Sequence, residues 1–157
     1  MSARGGGARV RLRPLRASDA TVYAAWMADD ELRELTGTEE PLTEDDVIGA
    51  ARLAEADEGV AAFVVLTADG DGAEGSAEWT MVGDVNIRMN DPDDPRRAEV
   101  DVMVAERSAR RKGVAAAAVR AALAHGTQRM GAGSFVAKVR GWPGWTGGAW
   151  ARGSAAC

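Results

Sequence analysis

The chain has 157 residues, 46% hydrophobic and 27% charged, with a formal net charge of −5; that is one ordinary globular domain, long enough to bury a core without disulfides or metals. The negative balance excludes a domain-wide basic field of the kind that binds nucleic acid by counterion release. No apolar run reaches membrane-spanning length, and the N-terminal MSARGGGAR lacks the apolar core of a secretory signal.

A soluble, cytoplasmic protein is expected, with neither nucleic acid nor membrane as partner. The single cysteine, Cys157, is expected to stay unpaired, and no prenylation box is expected around it.

Residues 1–8 are Gly-rich and expected to be disordered. Val10 to Arg13 alternates apolar and basic residues, predicting a strand that Pro14 ends. Ser18-Asp19 reads as an N-cap for a helix over Ala20 to Met27, in which Tyr23 and Trp26 are expected core residues. A second helix is expected over Asp29 to Leu35, stopped by Gly37. Thr43 with Asp46 resembles a capping box and opens a third helix, Glu44 to Ala56.

The period then changes. VAAFVVLT (Val60 to Thr67) is a continuous apolar strand, followed by an acidic loop and a strand over Met81 to Met89. DPDDP leads into Ala98 to Val104, where Glu99, Asp101 and Met103 share one face and Val100, Val102 and Val104 the other. A helix from about Gly113 to Met130 and a strand over Ser134 to Val139 complete a mixed α/β order, not a regular βαβ series.

The stretch RSARRKGVAAAAV carries the chemistry. Gly113 permits close approach of a ligand to the backbone, and the small residues after it let the helix pack tightly on a sheet. A helix start offers unpaired N–H groups and partial positive charge, which suit a pyrophosphate, and Arg110, Arg111 and Lys112 add full charges beside them. Taken alone, the same residues read equally well as a basic, solvated helix start. Other candidates do less. Residues 70–75 match GxGxxG literally, but no amphipathic helix follows, and Asp69, Asp71 and Glu74 would repel a phosphate, so a hairpin loop is expected. The acidic run from Asp29 to Asp46 reads as solvated helix surface more readily than as an attractor of basic substrates. His125, the one histidine, is expected near the surface, and no metal site is expected.

With its preceding strand, the segment AEVDVMVAERSARRKGVA resembles the coenzyme A motif of the GCN5-related N-acetyltransferase (GNAT) superfamily, through Arg110, Gly113 and Ala115. RVRLRPLRASDA, WMADDELRELTGTEEPLT and MVGDVNI extend the likeness from about Val10 to Val139, and together they are similar to the N-acetyltransferase 9-like family. The resemblance implies the GNAT acyl-CoA N-acyltransferase fold and direct transfer of acetyl from acetyl-CoA to an amine, that of a protein N-terminus or lysine. It implies acetyl-CoA contacts from Met103, Val104, Ala105, Arg110, Arg111, Lys112, Gly113, Val114 and Ala115. Backbone groups of Met103 to Ala105 would face the thioester, where an N–H can polarise the carbonyl. Glu99 would take the amine proton, with Asp101 as the alternative; the bland reading of Glu99 is a cross-strand partner for an arginine.

After Val139 the likeness stops. RGWPGWTGGAWARGSAAC holds three of the five tryptophans without helical or strand period. The family would continue with an Asn-containing loop, a helix bearing a tyrosine as general acid, and two strands. The expected domain therefore spans 9–139, is incomplete after its fifth strand, and carries an atypical tail over 140–157. An exposed apolar edge at SFVAKV and weak stability would follow. The second reading is a catalytically inactive remnant that binds acetyl-CoA or another protein.

Overall fold

The computed structural model describes residues 2–5, 8–68 and 78–137. The elements in chain order are β1 (Ser2–Gly5), β2 (Ala8–Pro14), α1 (Ala20–Met27), α2 (Asp30–Thr36), α3 (Glu44–Ala56), β3 (Val60–Ala68), β4 (Thr80–Arg88), β5 (Arg97–Val104), α4 (Val114–Arg129) and β6 (Ser134–Ala137). The strands form one six-stranded sheet in sequence order. Neighbours are antiparallel from β1 to β5, whereas β6 lies parallel to β5 because α4 supplies the crossover.

Both faces of the sheet are covered, which is why β3 is apolar nearly throughout. On one face α4 packs Val114, Ala117, Ala118 and Ala122 against Phe63, Val85, Ile87 and Val100. Its alanines keep the helix close, and at Gly126 an added Cβ would stand 2.7 Å from the Phe135 ring. His125 also packs inward, edge-on to Phe63 at 4.9 Å between ring centres, so it is less superficial than its lone position suggests. On the opposite face, α1 and α3 cover Ala62, Val64 and Leu66 through Ala20, Val47 and Ala51. Trp26, Met27, Leu32 and Ala105 continue that layer toward the end of β5.

Local signals position these helices. The Asp29 carboxylate accepts from the Leu32 amide at 3.2 Å and caps α2, which ends at Gly37 in the left-handed region (φ 66°). Thr43 and Asp46 form the reciprocal box that opens α3, with bonds of 3.2 and 2.8 Å, so the shorter aspartate serves where glutamate is usual.

Two expectations are corrected. The segment expected to be disordered over 1–8 contributes β1 at Ser2–Gly5, antiparallel to β2, because the edge of β2 offers backbone donors and acceptors that need partners. Asp19 does not cap α1. Its carboxylate accepts two 2.7 Å bonds from the Arg13 guanidinium and one of 2.9 Å from the Arg16 amide. A forked cation outcompetes a capping interaction there. Burial opposes ionisation of Asp19, but the Arg13 bonds, the Arg16 amide and the two arginine charges outweigh it and hold the carboxyl below its usual range. The GxGxxG run at 70–75 and the tail over 140–157 lie outside the described residues; of SFVAKV, Ser134–Ala137 is β6, which among the described strands pairs with β5 and ends the sheet.

At Gly83 the β4 backbone nearly touches β5: an added Cβ would stand 2.0 Å from the Met103 carbonyl oxygen. The register of β3 with β4 slips between Val65 and Leu66, leaving Val82 as the extra residue of a bulge beside this contact. The freed Val82 carbonyl takes the amides of Ala105 (2.8 Å) and Glu106 (3.1 Å), turning the chain out of β5. We expect Gly83→Ala to destabilise by about 1–3 kcal/mol through overpacking. Gly49→Ala on α3, where a Cβ meets nothing within 4 Å, should stabilise by about 0.5–1 kcal/mol. Urea unfolding of both variants measures the difference; equal midpoints would show that β5 yields freely at Met103.

Candidate active site

Strands β4 and β5 place three polar rungs on the face below α1 and α2: Asp84 opposite Met103, Asn86 opposite Asp101, and Arg88 opposite Glu99. Their neighbours Val85, Ile87 and Val100 point to the α4 core instead, as strand alternation demands. Above the rungs, Tyr23 and Met27 of α1 with Leu32 and Leu35 of α2 close a cleft of about 460 Å³. Val102, Val104 and Arg110 also reach it.

Arg88 organises two of the carboxylates. Its Nη1 donates to Asp101 Oδ2 at 2.6 Å and lies 3.8 Å from Glu99 Oε1. Asn86 donates to the other Asp101 oxygen at 3.0 Å. Glu99 is thus the cross-strand partner of an arginine as well as a cleft residue, while Asp101 has both oxygens engaged.

Asp84 is different. It is 5% exposed and accepts from the Tyr23 hydroxyl at 2.5 Å and, more weakly, from Asn86 at 3.4 Å. Burial and then the Asp101 charge push its carboxyl up; the Tyr23 and Asn86 bonds and the Arg88 charge pull back, and the balance is pushed up to about 6. The Tyr23 phenol is raised as well, first by burial and then by the adjacent Asp84 charge and bond, so it stays neutral across the physiological range. Tyr23, expected to be a core residue, is therefore also a cleft residue. Sequence reading missed Asp84, Asn86 and Arg88. The available signal was Asp84 itself, a charge inside the otherwise apolar strand MVGDVNI.

The basic turn does not converge on one point. Arg110 bends back, donating from Nε to the Val104 carbonyl (2.9 Å) and from Nη2 to the Ala105 carbonyl (3.0 Å). Lys112 instead borders a second cleft of about 360 Å³ with Ser108, Thr67 and Thr80. Arg111 is exposed with φ 61°, an uncommon setting for a residue with a side chain. Gly113 follows at φ 74° as the N-cap of α4, with no side-chain cap hydrogen bond. Val114 is buried in the core and Ala115 half-buried. Of the backbone groups expected to face a thioester, the Ala105 amide is committed to Val82 and its carbonyl to Arg110. Met103 and Val104 lie beyond the part of β5 that pairs with β6, which spans Arg97 to Val100. Trp26 Nε1 donates to Glu106 at 2.7 Å, and an Arg107–Glu31 ion pair ties α2 to the same turn. Among the described residues no group of three or more metal-ligating side chains occurs, and no helix is long and apolar enough to cross a membrane.

One protein family, described as Acetyltransferase (GNAT) domain, matches residues 9–141. Alpha/beta-tubulin-N-acetyltransferase 9 of Mus musculus is 34% identical over 135 residues, 85% of this chain and 56% of the relative. The Homo sapiens protein of that name is 38% identical over 119 residues, 74% of this chain and 57% of the relative. The chain thus spans little more than half the length of these relatives. Among solved structures, Mycobacterium smegmatis RimJ in complex with CoA-disulfide superposes with a TM-score of 0.66 at 24% identity, covering 89% of this chain and 66% of that one. The aminoglycoside acetyltransferase AAC(6')-Ib in complex with coenzyme A gives 0.61 at 18% identity, covering 82% and 73%. Both likenesses establish the fold.

A buried carboxyl raised to about 6 binds its proton more tightly folded than unfolded. Its contribution therefore favours the fold below about pH 4 and is lost as pH rises to about 6, on the order of 2–3 kcal/mol in all. Asp84→Asn keeps the shape and an acceptor for Tyr23 while removing the charge. We expect it to unfold at higher denaturant concentration than the wild type at pH 8, with the advantage closing toward pH 4.5. A variant less stable at both pH values would show that the ionised carboxylate holds the fold together.

Proposed function

Because the chain belongs to the GNAT acetyltransferase family, we propose that it transfers acetyl from acetyl-CoA to an amine, and that the acceptor is a protein N-terminus or lysine. The observation that carries this reading is the turn after β5. There Gly113, left-handed and without a side chain, opens the 16-residue helix α4 uncapped beside exposed Arg111 and Lys112. Free first-turn amides, the helix dipole and two full charges suit a pyrophosphate. The residues present fit the coenzyme on those grounds. The names of the relatives, which specify α/β-tubulin, support a protein acceptor.

Each residue has a role in this proposal. Gly113 with the first-turn amides of Val114 and Ala115 would bind phosphate, and Arg111 would neutralise it. Val114 seats the helix start in the core, and Arg110 fixes the Val104 and Ala105 carbonyls. Lys112 would serve the side facing the second cleft. Val104 would present its backbone N–H to the acetyl carbonyl, where a preorganised donor stabilises developing negative charge, while the Met103 carbonyl lies against Gly83 and its backbone serves the β4 side. The Ala105 amide is already spent on Val82, so Ala105 supports the turn and does not polarise the substrate. Glu99 would take the proton that the ammonium form must lose before attack, directly or through water, with Asp101 orienting Arg88 behind it.

Isothermal titration of acetyl-CoA tests the coenzyme grip. The wild type should bind saturably, and Arg111→Glu and Gly113→Glu should each weaken binding by at least about tenfold, the scale of losing one charge-assisted phosphate contact. Unchanged affinity in Arg111→Glu would remove the basic turn from the site.

A further inference from the structure

The Tyr23–Asp84 pair occupies the cleft in a way that Glu99 and Asp101 do not. Tyr23 lines the cavity, and its hydroxyl points to Asp84 Oδ2. Asp84 lines the same cavity but is almost wholly buried, whereas Tyr23 is half-buried, so the phenol is the more accessible of the pair. Both hydrogen bonds to Asp84 come from neutral side chains, Tyr23 and Asn86. By contrast, Arg88 bonds to Asp101 and lies against Glu99. Asp84 also stands opposite Met103 on β5.

We propose that Tyr23 and Asp84 form the proton outlet of the site, with Tyr23 as a catalytic residue and Asp84 as the positioning residue that accepts through it; this rests on the acetyltransferase reading above. As the neutral amine, its ammonium proton already given to Glu99, attacks the acetyl carbonyl, a C–N bond forms and the proton that attack makes acidic passes from nitrogen to the Tyr23 oxygen. The phenol's own proton moves to Asp84 along the existing hydrogen bond, so the tyrosine ends neutral. The C–S bond then breaks with its electron pair on sulfur, and the proton on Asp84 returns through Tyr23 to that thiolate. Charge and protons balance, and no further reactant is needed.

The surroundings set the pH at which the outlet opens. Tyr23 faces Asp84 from α1, Asn86 and Arg88 follow it on β4, Asp101 and Glu99 lie across on β5, and β3 contributes the uncharged Val64 beside it. Arg110 also lines the cleft, held to the Val104 and Ala105 carbonyls beyond Met103, and the α2 residues that line it, Leu32, Leu35 and Thr36, carry no charge. An outlet that must start ionised loses activity as pH falls through about 6.

The test measures acetylation of a peptide with a free α-amine and of an α-acetylated lysine peptide from pH 5 to 9, with acetyl-CoA binding followed by calorimetry. Wild type should show an acid limb near pH 6. Tyr23→Phe should lower kcat by about a hundredfold while the KM for acetyl-CoA changes less than about twofold. Asp84→Asn should lower kcat similarly and abolish the acid limb. An active wild type with unchanged kcat in Tyr23→Phe overturns the outlet, as does an acid limb that disappears in Glu99→Gln but persists in Asp84→Asn. A wild type that binds acetyl-CoA and acetylates neither peptide overturns the protein-amine reading, a separate failure. A second measurement needs no turnover: the Asp84 carboxyl-carbon resonance should titrate at higher pH in Tyr23→Phe, because the phenol's bond favours the ionised form. An unchanged midpoint overturns the coupling on which the outlet depends.

Discussion

The close passage of β4 against β5 at Gly83 and Met103 is the constraint on which the site depends. A side chain at Gly83 would push the strands apart, and the rungs below would lose their alignment. With glycine there, Asp84, Asn86 and Arg88 face Met103, Asp101 and Glu99 on one surface. The adjacent bulge at Val82 supplies the carbonyl that catches Ala105 and Glu106 and so directs the chain into the basic turn. One backbone irregularity thereby sets both the polar wall of the cleft and the approach to α4.

The cleft is electrostatically uneven. Arg88 satisfies the two outer carboxylates, whereas the innermost one, Asp84, has only neutral partners and almost no water. Burying an ionisable group in this way costs stability, and folds keep such groups where a proton has to be held or moved. The covering layer is correspondingly firm. Trp26 bonds to Glu106, Arg33 to the Met27 carbonyl, and Arg107 pairs with Glu31, so α1 and α2 are fastened to the turn and to each other. Tyr23 therefore rests on a fixed helix, which a short, strong hydrogen bond to Asp84 requires.

The basic turn divides its labour in a way that formal charge does not reveal. Arg110 spends its guanidinium on two backbone carbonyls and acts as a brace. Arg111 takes a left-handed backbone conformation that costs roughly 1–2 kcal/mol for an L-residue, a strain that is commonly retained where a loop must present its groups to a ligand. Lys112 looks toward a different cleft. In the proposed phosphate grip, Gly113, the open helix start and Arg111 therefore count for more than three equivalent charges would.

Much of the architecture was legible in the residues, because the signals were local. The Thr43–Asp46 box, Gly37 as a helix stop, the unbroken apolar run of β3 and the small-residue face of α4 each act within a few positions. The family likeness and the Glu99–Asp101–Met103 face were readable for the same reason, since strand alternation is a property of the chain itself. Asp19 misled, because its preferred partner, Arg13, lies outside the helix start that the pattern describes. The segment Ser2–Gly5 also misled, because pairing with a sheet edge overrides a weak intrinsic preference. By itself the sequence determined the order of elements from β2 onward, the face each of those strands turns inward and the glycine-led helix start of the proposed phosphate grip. Tertiary structure alone decided that Tyr23 meets Asp84 across 61 positions, that Arg88 gathers Glu99 and Asp101, and that Arg110 is a brace. Those pairings depend on strand register and on the depth to which a helix settles on the sheet, distances that no local pattern encodes.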